Sequence, residues 1–131
     1  MAAMRVLFDS HAFVWFLAGD QRFSDRARRV VTAEDTVACV SAVTAWEIAN
    51  KVRLGKWPEA AALAGSFSDI IDEHGFEPIS VTVDQARVAG FLASAHRDPF
   101  DRMLAAQAQI EGMPLITADS AFQAFGTRVL W

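Results

Sequence analysis

Arg5-Val6-Leu7-Phe8, Val37 to Val40, Glu77 to Ser80, Leu115-Ile116-Thr117 and Thr127 to Leu130 are brief runs, too short for helices and without the alternation of half-exposed hairpins. Between them the spacing turns helical. Ser10 to Ala18 carries apolar residues on nearly every face until Gly19. Ser24 to Val31 follows a plausible cap, and Ser41 opens a longer amphipathic helix reaching about Leu54. The spacing predicts one helix from Pro58 to about Glu73, and the capping box Thr82-Val83-Asp84-Gln85 opens another through about Ala95. Asp98-Pro99-Phe100-Asp101 starts a helix that Gly112 ends, and Asp119 to Phe125 forms a short last one. Strands that alternate with helices and are apolar throughout belong to a parallel sheet covered on both faces. A three-layer α/β/α sandwich with a mainly parallel five-stranded sheet is therefore expected, as one domain over residues 1–131.

The chain has 131 residues, of which 53% are hydrophobic and 21% charged, enough apolar surface to offset the entropy of ordering, so a disordered or linker-like protein is excluded. No apolar run approaches the roughly 20 residues that span a bilayer. Met1 to Arg5 lead into the first strand without the parts of a signal peptide, so a soluble cytoplasmic protein with no membrane partner is expected. Cys39 is the single cysteine, lies in an apolar run and reads as core filler. A formal charge of -4 argues against nucleic-acid binding by bulk electrostatics and leaves room only for a local basic patch.

Ligand sites in such sheets lie beyond the carboxyl ends of the strands. Asp9 directly follows the first strand and Asp119 comes two residues after the fourth, so both acids project from that edge, although either also suits a helix cap. Asp101 falls on the apolar stripe of its helix, with Leu104, Ala105 and Ala108; the bland alternative is an N3 residue behind an Asp98 cap. Glu47 shares a face with Val43, Asn50 and Leu54, or else pairs with Lys51 at i+4. If Asp9, Glu47, Asp101 and Asp119 converge, their mutual repulsion requires cations, and oxygen-only donors suit Mg²⁺ or Mn²⁺. Ser10 and Thr117 neighbour the acids and are placed to orient them, or simply to cap a helix and pack a strand. Arg97 and Arg102 flank the third acid, and Lys51, Arg53 and Lys56 follow Glu47; these are the candidate phosphate contacts, with solvated surface charge as the plainer reading. No Gly-rich nucleotide loop, nucleophile elbow or zinc-spaced Cys/His cluster competes.

The segments Val6-Leu7-Phe8-Asp9-Ser10-His11, Ser41 to Glu47, His96-Arg97-Asp98-Pro99-Phe100-Asp101-Arg102 and Leu115-Ile116-Thr117-Ala118-Asp119 resemble, in order and spacing, the motifs of PIN-domain ribonucleases. The chain is most similar to the VapC-type toxins of bacterial toxin–antitoxin pairs. The resemblance implies a PIN-like fold, Mg²⁺- or Mn²⁺-dependent endoribonuclease activity on structured RNA, a homodimer and a cognate antitoxin. It maps the family's four acids onto Asp9, Glu47, Asp101 and Asp119, with Asp98 as an extra acid whose part in metal binding stays open. Phe13 to Leu17, Trp46 and Trp57 supply core, with a remainder for a dimer or antitoxin contact. Two rivals remain: a catalytically silent PIN-like module that binds RNA or a partner, and a phosphoacceptor domain. The second is disfavoured because Lys51 and Lys56, the only lysines, follow no late strand.

Overall fold

The computed structural model describes residues 4–131; residues 1–3 of the amino-terminal reading lie outside it. The strands are β1 (Met4–Phe8), β2 (Thr36–Ser41), β3 (Glu77–Ile79), β4 (Leu115–Ile116) and β5 (Val129–Leu130). They form one sheet in the order β3-β2-β1-β4-β5, with every pairing parallel. The helices are α1 (Ser10–Ala18), α2 (Asp25–Thr32), α3 (Ala42–Arg53), α4 (Ala61–Gly65), α5 (Phe67–His74), α6 (Val83–Phe91) and α7 (Pro99–Glu111). Short 3₁₀ helices occupy Pro58–Ala60 and Ser120–Phe125.

Side chains on successive strand residues point to opposite faces, so each short strand feeds two cores. Val6, Phe8, Ala38, Val40 and Ile116 join α1, α2, α4 and α5 in one cluster. Leu7, Cys39 and Leu115 join α7 and the Ser120–Phe125 turn in the other. Helix α3 serves both, sending Val43 to the second cluster and Ile48 to the first. Phe8 is fully buried and lies against Phe13, Phe16, Phe23 and Phe76 at centroid distances of 5.4, 5.8, 6.4 and 5.4 Å. Truncating such a ring to alanine costs about 3–5 kcal/mol. Cys39 is filler, as expected: burial pushes its thiol up to about 11.

Two helices depart from expectation. The stretch from Pro58 to Glu73 is a 3₁₀ turn, α4 and α5 rather than one helix, because Ser66 leaves helical backbone (φ -136°, ψ 32°) after Gly65. Helix α6 stops at Phe91, four residues short of Ala95. The Arg102 guanidinium of α7 donates to the carbonyl oxygens of Ala89, Gly90, Leu92, Ser94 and His96, satisfying the acceptors that a continued helix would have used. Among the described residues no helix is long and apolar enough to cross a membrane.

β1 is the centre of the sheet. The chain first builds outward through β2 and β3, then crosses to the other side of β1 for β4 and β5. The change of direction falls between β1 and β4, where the flanking helices leave on different faces and a crevice opens at the strand ends.

Candidate active site

Asp9 leaves β1 at that crevice in extended backbone and caps α1, its Oδ1 accepting from the amides of His11 (2.7 Å) and Ala12 (3.3 Å). Its other oxygen accepts the hydroxyl of Thr117, which follows β4. Thr117 is itself fixed, because its Oγ1 accepts from the amide of Asp119 at 3.0 Å. Neighbouring strands thus hold one carboxylate from two sides. Asp9 is 8% exposed, and burial pushes its carboxyl above the ordinary range against the opposing pull of Thr117 and the amides.

Asp98 and Asp119 are caps as well. Asp98 Oδ1 accepts from the amides of Phe100 and Asp101 at the start of α7, and Asp119 Oδ1 accepts from Ala121 at 2.9 Å. Asp101, one turn into α7, uses its side chain differently: Oδ2 lies 2.8 Å from His96 Nε2. Its carboxyl is pushed up to about 6, first by burial; the His96 contact pulls the other way, while the charges of Asp98, Glu47 and Asp9 add to the rise. That Glu47 and Asp9, from distant segments, act on Asp101 alongside its helix neighbour Asp98 is the electrostatic mark of their convergence. Glu47, buried on α3, meets Lys51 one turn along the helix at 2.5 Å.

These groups surround one cavity of about 350 Å³, lined by Asp9, Glu47, Asp98, Asp101 and Asp119 together with His11, Trp15, Lys51, Ala118 and Phe122. All five candidate acids meet there. Among the described residues, no three of their side chains close into a ready cage for an ion. Repulsion between carboxylates and the hold of Lys51 and His96 on two of them account for that spread. The donor set fits a hard divalent cation: every acid offers oxygen, no thiolate competes, and the cavity is open to solvent.

Other expected site residues fall elsewhere. Ser10 does not hold an acid; its hydroxyl donates to Thr44 Oγ1 at 3.1 Å and pins α1 to α3. Arg102 is a correction, since a guanidinium spent on backbone carbonyls is not free for phosphate. Arg53 lies outside the cavity lining and donates to Asn50 Oδ1 at 2.8 Å; Arg97 is exposed and has no hydrogen-bond partner among the described residues. The sequence reading missed the roles of His96 and Gln107. A histidine five residues before an acid on a loop-to-helix junction was the available signal for the first. Gln107 had none: fully buried on α7, it accepts the Ser41 hydroxyl at 2.5 Å and donates to Gln85 Oε1 and Ser80 O, locking α6 and α7 to the end of β2.

A family model described as PIN domain matches residues 6–127, so the chain belongs to the PIN-domain family. Solved structures share its fold. The VapBC2 structure from Rickettsia felis bound to a promoter DNA fragment is 17% identical, covers 98% of each chain and has a TM-score of 0.69. FitAcB from Neisseria gonorrhoeae is 20% identical over 96% of each chain, with a TM-score of 0.68. VapC20 of Mycobacterium tuberculosis, a toxin that cleaves the sarcin-ricin loop, is 20% identical over 95% of this chain and 98% of its own, with a TM-score of 0.67. No curated protein matches the chain by sequence.

Proposed function

We propose that the chain is a divalent-metal-dependent endoribonuclease and the toxin of a toxin–antitoxin pair. The observation that carries this reading is the gathering of Asp9, Glu47, Asp98, Asp101 and Asp119 around one open cavity at the β1/β4 crevice. Membership of the PIN family, and a shared fold with VapBC2, FitAcB and the sarcin-ricin-loop-cleaving VapC20, support it.

Asp9, Glu47 and Asp101 are the residues that would hold the ion, with Asp119 completing the set and Asp98 at its margin. Bound Mg²⁺ or Mn²⁺ supplies charge neutralisation at the phosphate and a lowered pKa for attacking water. The protein's own part is positional. Thr117 and the amides of α1 fix both oxygens of Asp9, and His96 Nε2 holds Asp101 Oδ2. Lys51 Nζ, at the rim on Glu47, is placed to meet a phosphate of the substrate once the carboxylate finds another partner. Arg97, exposed and without a hydrogen-bond partner among the described residues, adds a cation next to Asp98 in the chain.

A cognate antitoxin and a second copy of the chain are the proposed protein partners. Trp46, 61% exposed and edge-on to Phe100, and Phe91, 79% exposed on α6, offer apolar surface for them. The silent-module reading draws on the spread of the acids and on Lys51 already occupying Glu47.

The test is to incubate the purified chain and Asp9→Asn with total RNA in Mg²⁺, in Mn²⁺ and in chelator, and to map the new ends. Cleavage by the unaltered chain in metal only, absent from Asp9→Asn, supports the nuclease. Metal-independent RNA binding without cleavage replaces it with the silent module.

A further inference from the structure

Beside the carboxylate cavity lies a second cleft of about 520 Å³ whose lining is richer in cations and aromatic rings. The two share His11, Trp15 and Lys51, so they adjoin. The first is lined by five carboxylates and, among lysines and arginines, by Lys51 alone. The second brings Lys51, Lys56 and Arg22 together over an aromatic floor, with Asp20 and Glu59 as its acids. Asp20 and Arg22 neutralise each other, Arg22 Nη2 lying 2.7 Å from Asp20 Oδ2. Lys56 is exposed and has no ion-pair partner among the described residues.

The aromatic parts are arranged as a platform. His11 is exposed, and its ring stacks on the buried Trp57 with centroids 4.5 Å apart and an interplanar angle of 26°. Trp15 meets its edge at 6.2 Å. The guanidinium of Arg22 already covers Trp15 at 4.7 Å, and Lys51 Nζ stands 5.5 Å from the Trp57 ring. Trp57 thus braces one face of the His11 ring and leaves the other for an incoming planar group. Aromatic faces flanked by cations are how proteins hold unpaired nucleotides without reading their sequence.

We propose that this cleft is a subsite for a nucleotide flanking the cut: its base stacks on His11, braced by Trp57, and its phosphate meets Lys56 and Lys51. This rests on the ribonuclease reading and adds to it the single-stranded character of the substrate at this position. An RNA strand with its scissile phosphate among the carboxylates must leave them in some direction. The cleft that shares three residues with them adds Lys56, a cation the first cavity lacks.

The experiment measures binding of a fluorescein-labelled 12-nucleotide single-stranded RNA to the full chain in EDTA, across a salt series, and cleavage of the same RNA in Mg²⁺. His11→Ala keeps the backbone amide that caps with Asp9, and Lys56→Glu alters an exposed side chain, so neither requires refolding of the core. Arg128→Glu, ahead of β5 at the opposite edge of the sheet, is the control. The expected result is about tenfold weaker binding for His11→Ala, the loss of one stacked base. Lys56→Glu weakens binding and lowers the slope of log affinity against log salt by about 0.7 or more. Arg128→Glu matches the unaltered chain. RNA affinity and salt slope unchanged in both cleft variants, while the unaltered chain binds and cuts, overturn the subsite alone and leave the cleft to a protein partner. Failure of the unaltered chain to bind or cut the RNA overturns the ribonuclease reading along with it.

Discussion

His96 Nε2 lies 2.8 Å from Asp101 Oδ2, and the loop that presents His96 is held in place by Arg102, the residue next to that acid. One turn of α7 therefore supplies both a site carboxylate and the anchor for its hydrogen-bonding partner.

Removing that partner has a readable effect on acidity. Burial, opposed by the His96 contact and reinforced by the charges of three acids, leaves the Asp101 carboxyl at about 6. His96→Ala should raise it further, moving the acid limb of the pH profile for RNA cleavage to higher pH. Rates measured from pH 5 to 8 in Mg²⁺ check this, and a superimposable profile would show that the contact is idle.

Stability without metal should fall as pH rises. Raised carboxyls mean that the folded chain binds more protons than the unfolded one between about pH 4 and about pH 6. The penalty for Asp101 is full above its folded value and relieved as pH drops through it. Melting in EDTA should therefore shift upward on acidification from pH 7.5 to 5.5, and Asp101→Asn should flatten the trend. Scanning fluorimetry across buffers reads both.

Arg102→Lys is expected to destabilise the fold by about 2–4 kcal/mol. A point ammonium cannot reach the set of carbonyls that a planar fork serves, and bonds to charged donors are worth about 1.5–3 kcal/mol each net of water, some of which a lysine would keep. Urea titration gives the value. A change under 0.5 kcal/mol would mean that the segment from Ala89 to His96 holds its shape unaided.

Thr117→Val is nearly isosteric at a position 2% exposed, yet it strips Asp9 of a donor and leaves the amide of Asp119 without its acceptor. Losing such a supporting contact typically costs ten- to a hundredfold in metal affinity. Calorimetric titration with Mn²⁺ should show roughly tenfold weaker binding, restored by Thr117→Ser.

Much of this architecture could be read along the chain because the strands are short, apolar and bounded by caps that act locally. Asp9, Ser24, Ser41, Thr82, Asp98 and Asp119 each accept amides within three residues, an interaction that spacing alone predicts. The meeting of Asp9 and Asp119 followed from β1 and β4 lying side by side, while Glu47 and Asp101 join them from α3 and α7. What escaped the sequence was settled by distant groups. The end of α6 depends on a guanidinium 13 positions beyond Ala89, and Ser10 turns to Thr44 on another helix. Trp46 and Trp57 flank the same basic stretch, but only the coordinates distinguish the exposed ring from the buried one.

The hydroxyl that secures Asp9 arrives 108 residues after it. A nascent polypeptide leaving the ribosome therefore carries its first acid from the outset but cannot close the crevice until β4 has docked beside β1. Interrupted synthesis before that point yields fragments that lack the assembled centre.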